Sequence, residues 1–277
     1  MKLSLFGITI LFSFLLVGST LAQPSEFRRR ANNITTGYSE EDIKAEVDFG
    51  RKLAAKILGK YKIVKNEKLQ HYVSILGEGV AAQIGRPELT YYFAILETDE
   101  INAYACPGGY IFVTKGAIKA MSNEAHMVGV IAHEITHVNE RHVVKQLKIK
   151  GKDKSVTSGL AGIAGGGTAT ARIALERLSE KAFQILFEEG LAKEDEFESD
   201  RHAVEMLITL NYDWGNYRNY IQTLKKLIAQ GQGKILSKTH PDVMTRVNNM
   251  NATAQKNQYQ STTGKINVQR FKQYVQF

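Results

Sequence analysis

Residues 128–142, VGVIAHEITHVNERH, constrain this chain more than any other stretch. Apolar residues crowd it (Met127, Val128, Val130, Ile131, Ala132, Ile135, Val138), so the segment reads as a buried helix. It nevertheless carries His133, Glu134 and His137, which are costly to bury without partners. Positions i and i+4 of a helix lie on one face, so both imidazoles can aim at one metal ion. Glu134 then lands beside the metal, where it can take a proton from a water. The bland alternative is a polar core in which these groups satisfy one another. One ion would satisfy all three at once, which favours a metal helix.

A catalytic zinc needs three protein ligands and an open position. Candidates for the third are His142, His202, His240 and the carboxylates of KEDEFESD, residues 193–200. His142 follows His137 by five residues, which on a continuous helix turns it roughly 140° off the ligand face. A supporting or packing role beside Arg141 suits it better. Glu196 and Asp200 are four apart and share a helix face. One can reach the metal while the other holds a metal-bound imidazole in its tautomer. Spacing alone does not single out Glu196, because most of an acidic run is a solvated face.

The termini place the protein. Residues 1–22 form a secretory signal, with Lys2 ahead of an apolar run and Thr20-Leu21-Ala22 as a cleavage site. The run is short for a membrane span of about 20 residues. No Cys follows Ala22 directly, which argues against a lipid anchor. Cys106 is the single cysteine, so no intramolecular disulfide holds the fold, in keeping with a bacterial periplasm. The formal charge is +8, partly clustered at Arg28 to Arg30 and from Lys145 to Lys154. Export argues against nucleic acid. A solvated basic face is the plain reading, and peripheral contact with an anionic membrane the sharper one.

In between, 23–38 reads as a linker, 39–250 as the catalytic domain and 251–277 as a polar C-terminal extension. Ser39 caps a first helix, and residues 67–84 make a second that ends at Gly85-Arg86-Pro87. Residues 89–96 read as a strand, and Pro107-Gly108-Gly109 as the turn of a hairpin. The Gly-rich stretch 155–171 is a loop or a close-packed helix in the plain reading, a lid or lipid-touching surface in the sharper one. Helices follow on both sides of Gly190 and over 212–229. A short helix follows Pro241, residues 251–264 link, and 266–277 forms a terminal strand or helix.

HEITH at 133–137 with Arg141-His142, followed by Glu196-Phe197-Glu198-Ser199-Asp200, resembles the HtpX/BepA-like zinc metallopeptidases. NAYACPGG at 102–109 is similar to their strand motif, and Thr239-His240-Pro241 with Arg246 to their late motif. The resemblance spans residues 39–250. It implies an α+β, mainly helical zincin-like fold with a small sheet beside the metal helix. It implies one zinc held by His133, His137 and Glu196, with Glu134 as general base and Asp200 behind the ligands. It puts His240 near the metal, either as a latch or as a donor to the transition state. The membrane helices of the HtpX branch are missing here, so the soluble periplasmic branch is the expectation.

The expected activity is hydrolysis of unfolded polypeptides, with Asn102, Ala103 and Tyr104 pairing with extended substrate as an added strand. The rival is a chaperone for outer-membrane proteins, working with their assembly machinery and keeping its protease activity latent.

Overall fold

The computed structural model describes residues 38–147, 160, 162, 168–232, 234–259 and 264–277. The signal at 1–22, the linker up to residue 37 and most of the Gly-rich stretch lie outside the described residues. Ser39 opens helix α1 (Glu40–Lys60) through a capping box. Its hydroxyl accepts from Asp42 N, while the Asp42 carboxylate accepts from Ser39 N. Helix α2 (Glu67–Ile84) is capped by the Asn66 side chain on Leu69 N at 3.1 Å.

A three-stranded sheet follows, in the order β1-β3-β2. Strand β1 (Tyr92–Leu96) runs parallel to β3 (Tyr110–Thr114), and β2 (Ala103–Cys106) runs antiparallel to it. The expected strand thus starts at Tyr92 rather than residue 89. The turn between β2 and β3 is one 3₁₀ turn, Pro107–Gly109, with Gly108 at φ 74° and Gly109 at φ 97°. Only glycine adopts those angles freely. The turn sits directly on α1, where a Cβ at Gly50 would come within 1.6 Å of Pro107 O.

The two sheet edges differ. Gln70 of α2 donates to Phe93 O at 2.6 Å and accepts from Ile95 N at 3.2 Å, and Val64 N reaches Ile95 O. That side chain closes the β1 edge against further strands. Among the described residues no strand lies beyond β2.

After the short helix α3 (Lys115–Lys119) comes the metal helix α4 (Glu124–Asn139), capped by Asn123 and buried along its whole length. A helix apolar on all sides must be enclosed, and this one is. Helix α2 and the sheet cover one side. Helices α7 (Lys193–Thr209), α8 (Trp214–Ala229) and α10 (Val243–Lys256) cover the other. A second apolar cluster under α1 joins Phe49, Leu53 and Ile57 to Tyr104, Phe112 and Phe187.

Short elements complete the chain: α5 (His142–Gln146), α6 (Ala169–Gln184), α9 (Lys234–Thr239) and α11 (Val268–Tyr274). Helix α6 runs into a π-helical turn, Ile185–Glu189, that Gly190 ends at φ 81°. Two features depart from expectation. Helix α9 precedes His240, where no helix was expected, and residues 251–256 continue α10 instead of linking. No helix among the described residues is long and apolar enough to cross a membrane.

Candidate metal centre

Helix α4 points His133 and His137 the same way, and their Nε2 atoms stand 3.0 Å apart. Helix α7 crosses α4 and brings Glu196 to both. Its Oε2 is 3.5 Å from His133 Nε2, and its Oε1 is 3.5 Å from His137 Nε2. His240, at the end of α9, places its Nε2 3.5 Å from Glu196 Oε2. The ligand atoms of His133, Glu196 and His240 all lie within 4.8 Å of one another. Bonds of about 2.0–2.1 Å at tetrahedral angles separate donor atoms by about 3.3 Å. The observed 3.0 to 3.5 Å separations bracket that value, and nitrogen plus carboxylate is a zinc donor set. Glu196 Oε2 is fully buried with no hydrogen-bond donor, which a cation would remedy. The residues fit zinc.

Behind the donors stands a second tier. His133 Nδ1 lies 3.1 Å from Asp200 Oδ1. Arg246 of α10 holds Asp200 with two bonds, Nε at 2.8 Å and Nη2 at 2.6 Å, and Tyr217 of α8 donates to it at 3.2 Å. Burial works against the Asp200 charge, but Arg246 prevails and holds the carboxyl down at about 2. A fixed carboxylate therefore stands 3.1 Å from His133 Nδ1; burial works against the charged imidazole, but Asp200 and Glu196 raise its pKa to about 9.

Glu134 lies outside this ring. It has no positive partner of its own, and burial pushes its carboxyl up to about 7, with Glu196 adding to the rise and His133 opposing it. That is the range in which a carboxylate exchanges protons at neutral pH. It borders cavities on both sides of the donor cluster. One, of about 20 Å³, is lined by Tyr104, Ala105, Leu186, Gly190 and Thr239. The other, of about 40 Å³, is lined by Val130, Tyr217, Tyr220, Leu236 and Arg246. Either has room for a water. Tyr104 packs under this floor, stacked on Phe187 at 4.3 Å.

The structure brings His133, Glu134, His137, Glu196, Asp200 and His240 together, and Ala103 and Tyr104 line the same cleft. Asn102 sits one residue ahead of β2, buried, with its backbone carbonyl bonded to Thr114. His142 is the surprise. The helix ends at Asn139, and Arg141 takes a left-handed turn at φ 55°. His142 folds back, so that its Nδ1 meets His137 Nδ1 at 2.8 Å. The supporting or packing role expected for His142 agrees with this contact, although projection along a continuous helix gave no partner for it. Arg246 was legible as part of the late motif but not as the Asp200 partner, and Tyr217 carried no sequence signal.

Comparison with known proteins adds the following. The model of peptidase family M48 matches residues 67–254. The beta-barrel assembly-enhancing protease of Yersinia pestis is 24% identical over 217 residues, 75% of this chain and 44% of that protein. Its namesake in Escherichia coli K12 is 25% identical over 123 residues, 44% of this chain and 25% of that protein. The mitochondrial metalloendopeptidase OMA1 of Schizosaccharomyces pombe is 29% identical over 129 residues, 45% of this chain and 36% of that protein. The chain thus spans between a quarter and just under half the length of these relatives.

Proposed function

Because the chain belongs to peptidase family M48, we propose that it is a zinc-dependent endopeptidase. Its substrates are unfolded or misassembled proteins of the cell envelope, met in the periplasm. One observation carries the reading: two imidazole nitrogens and a buried carboxylate converge at 3.0 to 3.5 Å in a cleft that Glu134 also lines. His133, His137 and Glu196 hold the zinc. When bound, zinc polarises the scissile carbonyl and lowers the pKa of a water towards about 7. Glu134 accepts the proton of the attacking water and passes it to the leaving amine. Asp200, clamped by Arg246, keeps His133 oriented. Strand β2 has no partner strand beyond it among the described residues and borders the cleft, so an extended substrate adds there. A folded protein cannot offer such a strand, which selects unfolded chains.

The test is Glu134→Gln. The variant keeps its zinc and cleaves unfolded casein at least about a hundredfold more slowly than the parent, the usual scale for a lost general base. Undiminished cleavage with zinc in place would overturn the assignment.

A specific observation also favours gated activity. His240 Nε2 stands 3.5 Å from Glu196 Oε2, a carboxylate that would also hold the metal, and the cleft beneath it has about 20 Å³. His240 acts as a latch, and the closed form is latent. His240→Ala is then expected to speed casein cleavage, whereas a slower variant assigns His240 to transition-state donation. The names of the relatives point to beta-barrel assembly, which makes a holding role for outer-membrane proteins and contact with their assembly machinery the second reading. Restoration of assembly by the Glu134→Gln protein in a deletion strain supports that role.

A further inference from the structure

We infer that His142 is a positioning residue for His137, accepting its Nδ1 proton and so fixing the tautomer whose Nε2 faces the metal. This rests on the metal-site reading above. The two Nδ1 atoms stand 2.8 Å apart with both rings buried, so one nitrogen must donate and the other accept. The far side of His142 decides which. Its Nε2 faces two carboxylates of α7, Glu198 Oε2 at 3.4 Å and Asp195 Oδ1 at 3.6 Å. Carboxylates only accept, so His142 carries a proton on Nε2, and whenever that ring holds a single proton its Nδ1 is bare. His137 must then carry its proton on Nδ1, which leaves Nε2 bare at 3.0 Å from His133 Nε2. Ser199 Oγ also approaches His137 Nδ1, at 3.4 Å, but the imidazole is nearer.

The two metal histidines are therefore locked by different means. His133 is held by a carboxylate that an arginine fixes. His137 is held by a second imidazole, itself facing the partly exposed carboxylates of Asp195 and Glu198. The left-handed turn at Arg141 is what makes this contact.

Three proteins test it: parent, His142→Leu and His142→Asn. Asparagine keeps a carbonyl acceptor near the Nδ1 position, and leucine removes it at similar volume. Zinc affinity is measured by chelator competition, and ring tautomers by ¹⁵N NMR on metal-free protein. The parent is expected to show His137 protonated on Nδ1. His142→Leu should bind zinc about 10–100-fold more weakly and show a mixture of His137 tautomers, while His142→Asn should recover most of the affinity. Parent-like affinity together with a parent-like tautomer in His142→Leu overturns the inference. A parent that binds no zinc overturns the metal-site reading instead. Should His142→Leu not fold, the double variant Asp195→Ala, Glu198→Ala removes the outer end of the relay. It is expected to lose zinc affinity by a few-fold, on the order of a remote supporting contact. An unchanged affinity there also counts against the inference.

Discussion

At the residue scale, one glycine sets the distance on which the second tier depends. Gly129 lies on the metal helix, and a Cβ there would come within 2.3 Å of the Tyr217 ring. Its absence lets α8 approach closely enough for the Tyr217 hydroxyl to reach Asp200. Gly129→Ala gains helix propensity, worth up to about 1 kcal/mol. It forces a buried ring aside, which costs about 1–3 kcal/mol. The variant is expected to melt earlier and to bind zinc more weakly, as read by thermal denaturation and chelator titration. The site was only partly legible in the sequence. His133, Glu134 and His137 were, because their geometry is local to one helix. Glu196 and Asp200 lie some sixty residues away, and spacing alone could not choose among the acids of 193–200. The motif resemblance made that choice. Tyr217 and the specific contact of His142 escaped because a helix crossing and a left-handed turn placed them, and neither leaves a periodic trace.

At the element scale, helix α11 fastens the start of the metal helix. Glu124, the first residue of α4 and fully buried, accepts from Tyr72, Tyr212, Asn267 and Arg270. Tyr274 stacks on Tyr72 at 4.7 Å, the rings nearly parallel. Burial raises the Glu124 pKa, but the bonds from Arg270, Tyr212, Asn267 and Tyr72 outweigh it and hold the carboxyl below its usual value. A depressed acid stabilises the fold above the ordinary glutamate value of about 4.3, and that stability is lost as pH falls through the lower folded-state value. Acidification is thus expected to release residues 266–275 early, read by amide hydrogen exchange. Arg270→Ala should bring that release to neutral pH at a cost of about 1 kcal/mol, discounted because the guanidinium is half-exposed. Equal exchange in parent and variant at pH 7 would rule the clasp out. Caps and apolar periodicity revealed the long helices, including α2 to the residue. They could not reveal how the polar 266–277 segment docks, because its anchor is a buried acid far away in sequence.

At the scale of the whole molecule, the proposed zinc ligands come from two helices far apart in sequence, α4 and α7. A shared ion would tie these together and stabilise the entire fold. Zinc at a thousand times its Kd contributes about 4 kcal/mol. For a chain of this size that corresponds to a fall on the order of 10 °C in Tm on chelation. Differential scanning fluorimetry with and without chelator measures it, and Glu196→Gln should lose most of the response. A parent whose Tm ignores the chelator would speak against a resident metal. The mainly helical class with a small sheet was readable from motif and pattern. The closed cleft was not, since it arises where Gly190 meets α9, and a Cβ at Gly190 would come within 2.1 Å of Thr239 O.

The clasp on Glu124 also bears on biosynthesis. Its partners Asn267 and Arg270 lie 143 and 146 positions further along the chain. A ribosome adding about 5–20 residues per second needs on the order of 10–30 s to cover that interval. For nearly all of it, the emerging polypeptide already contains both histidines while the carboxylate at the start of their helix waits for its arginine. The start of that helix therefore stays unclasped until residue 270 has been made.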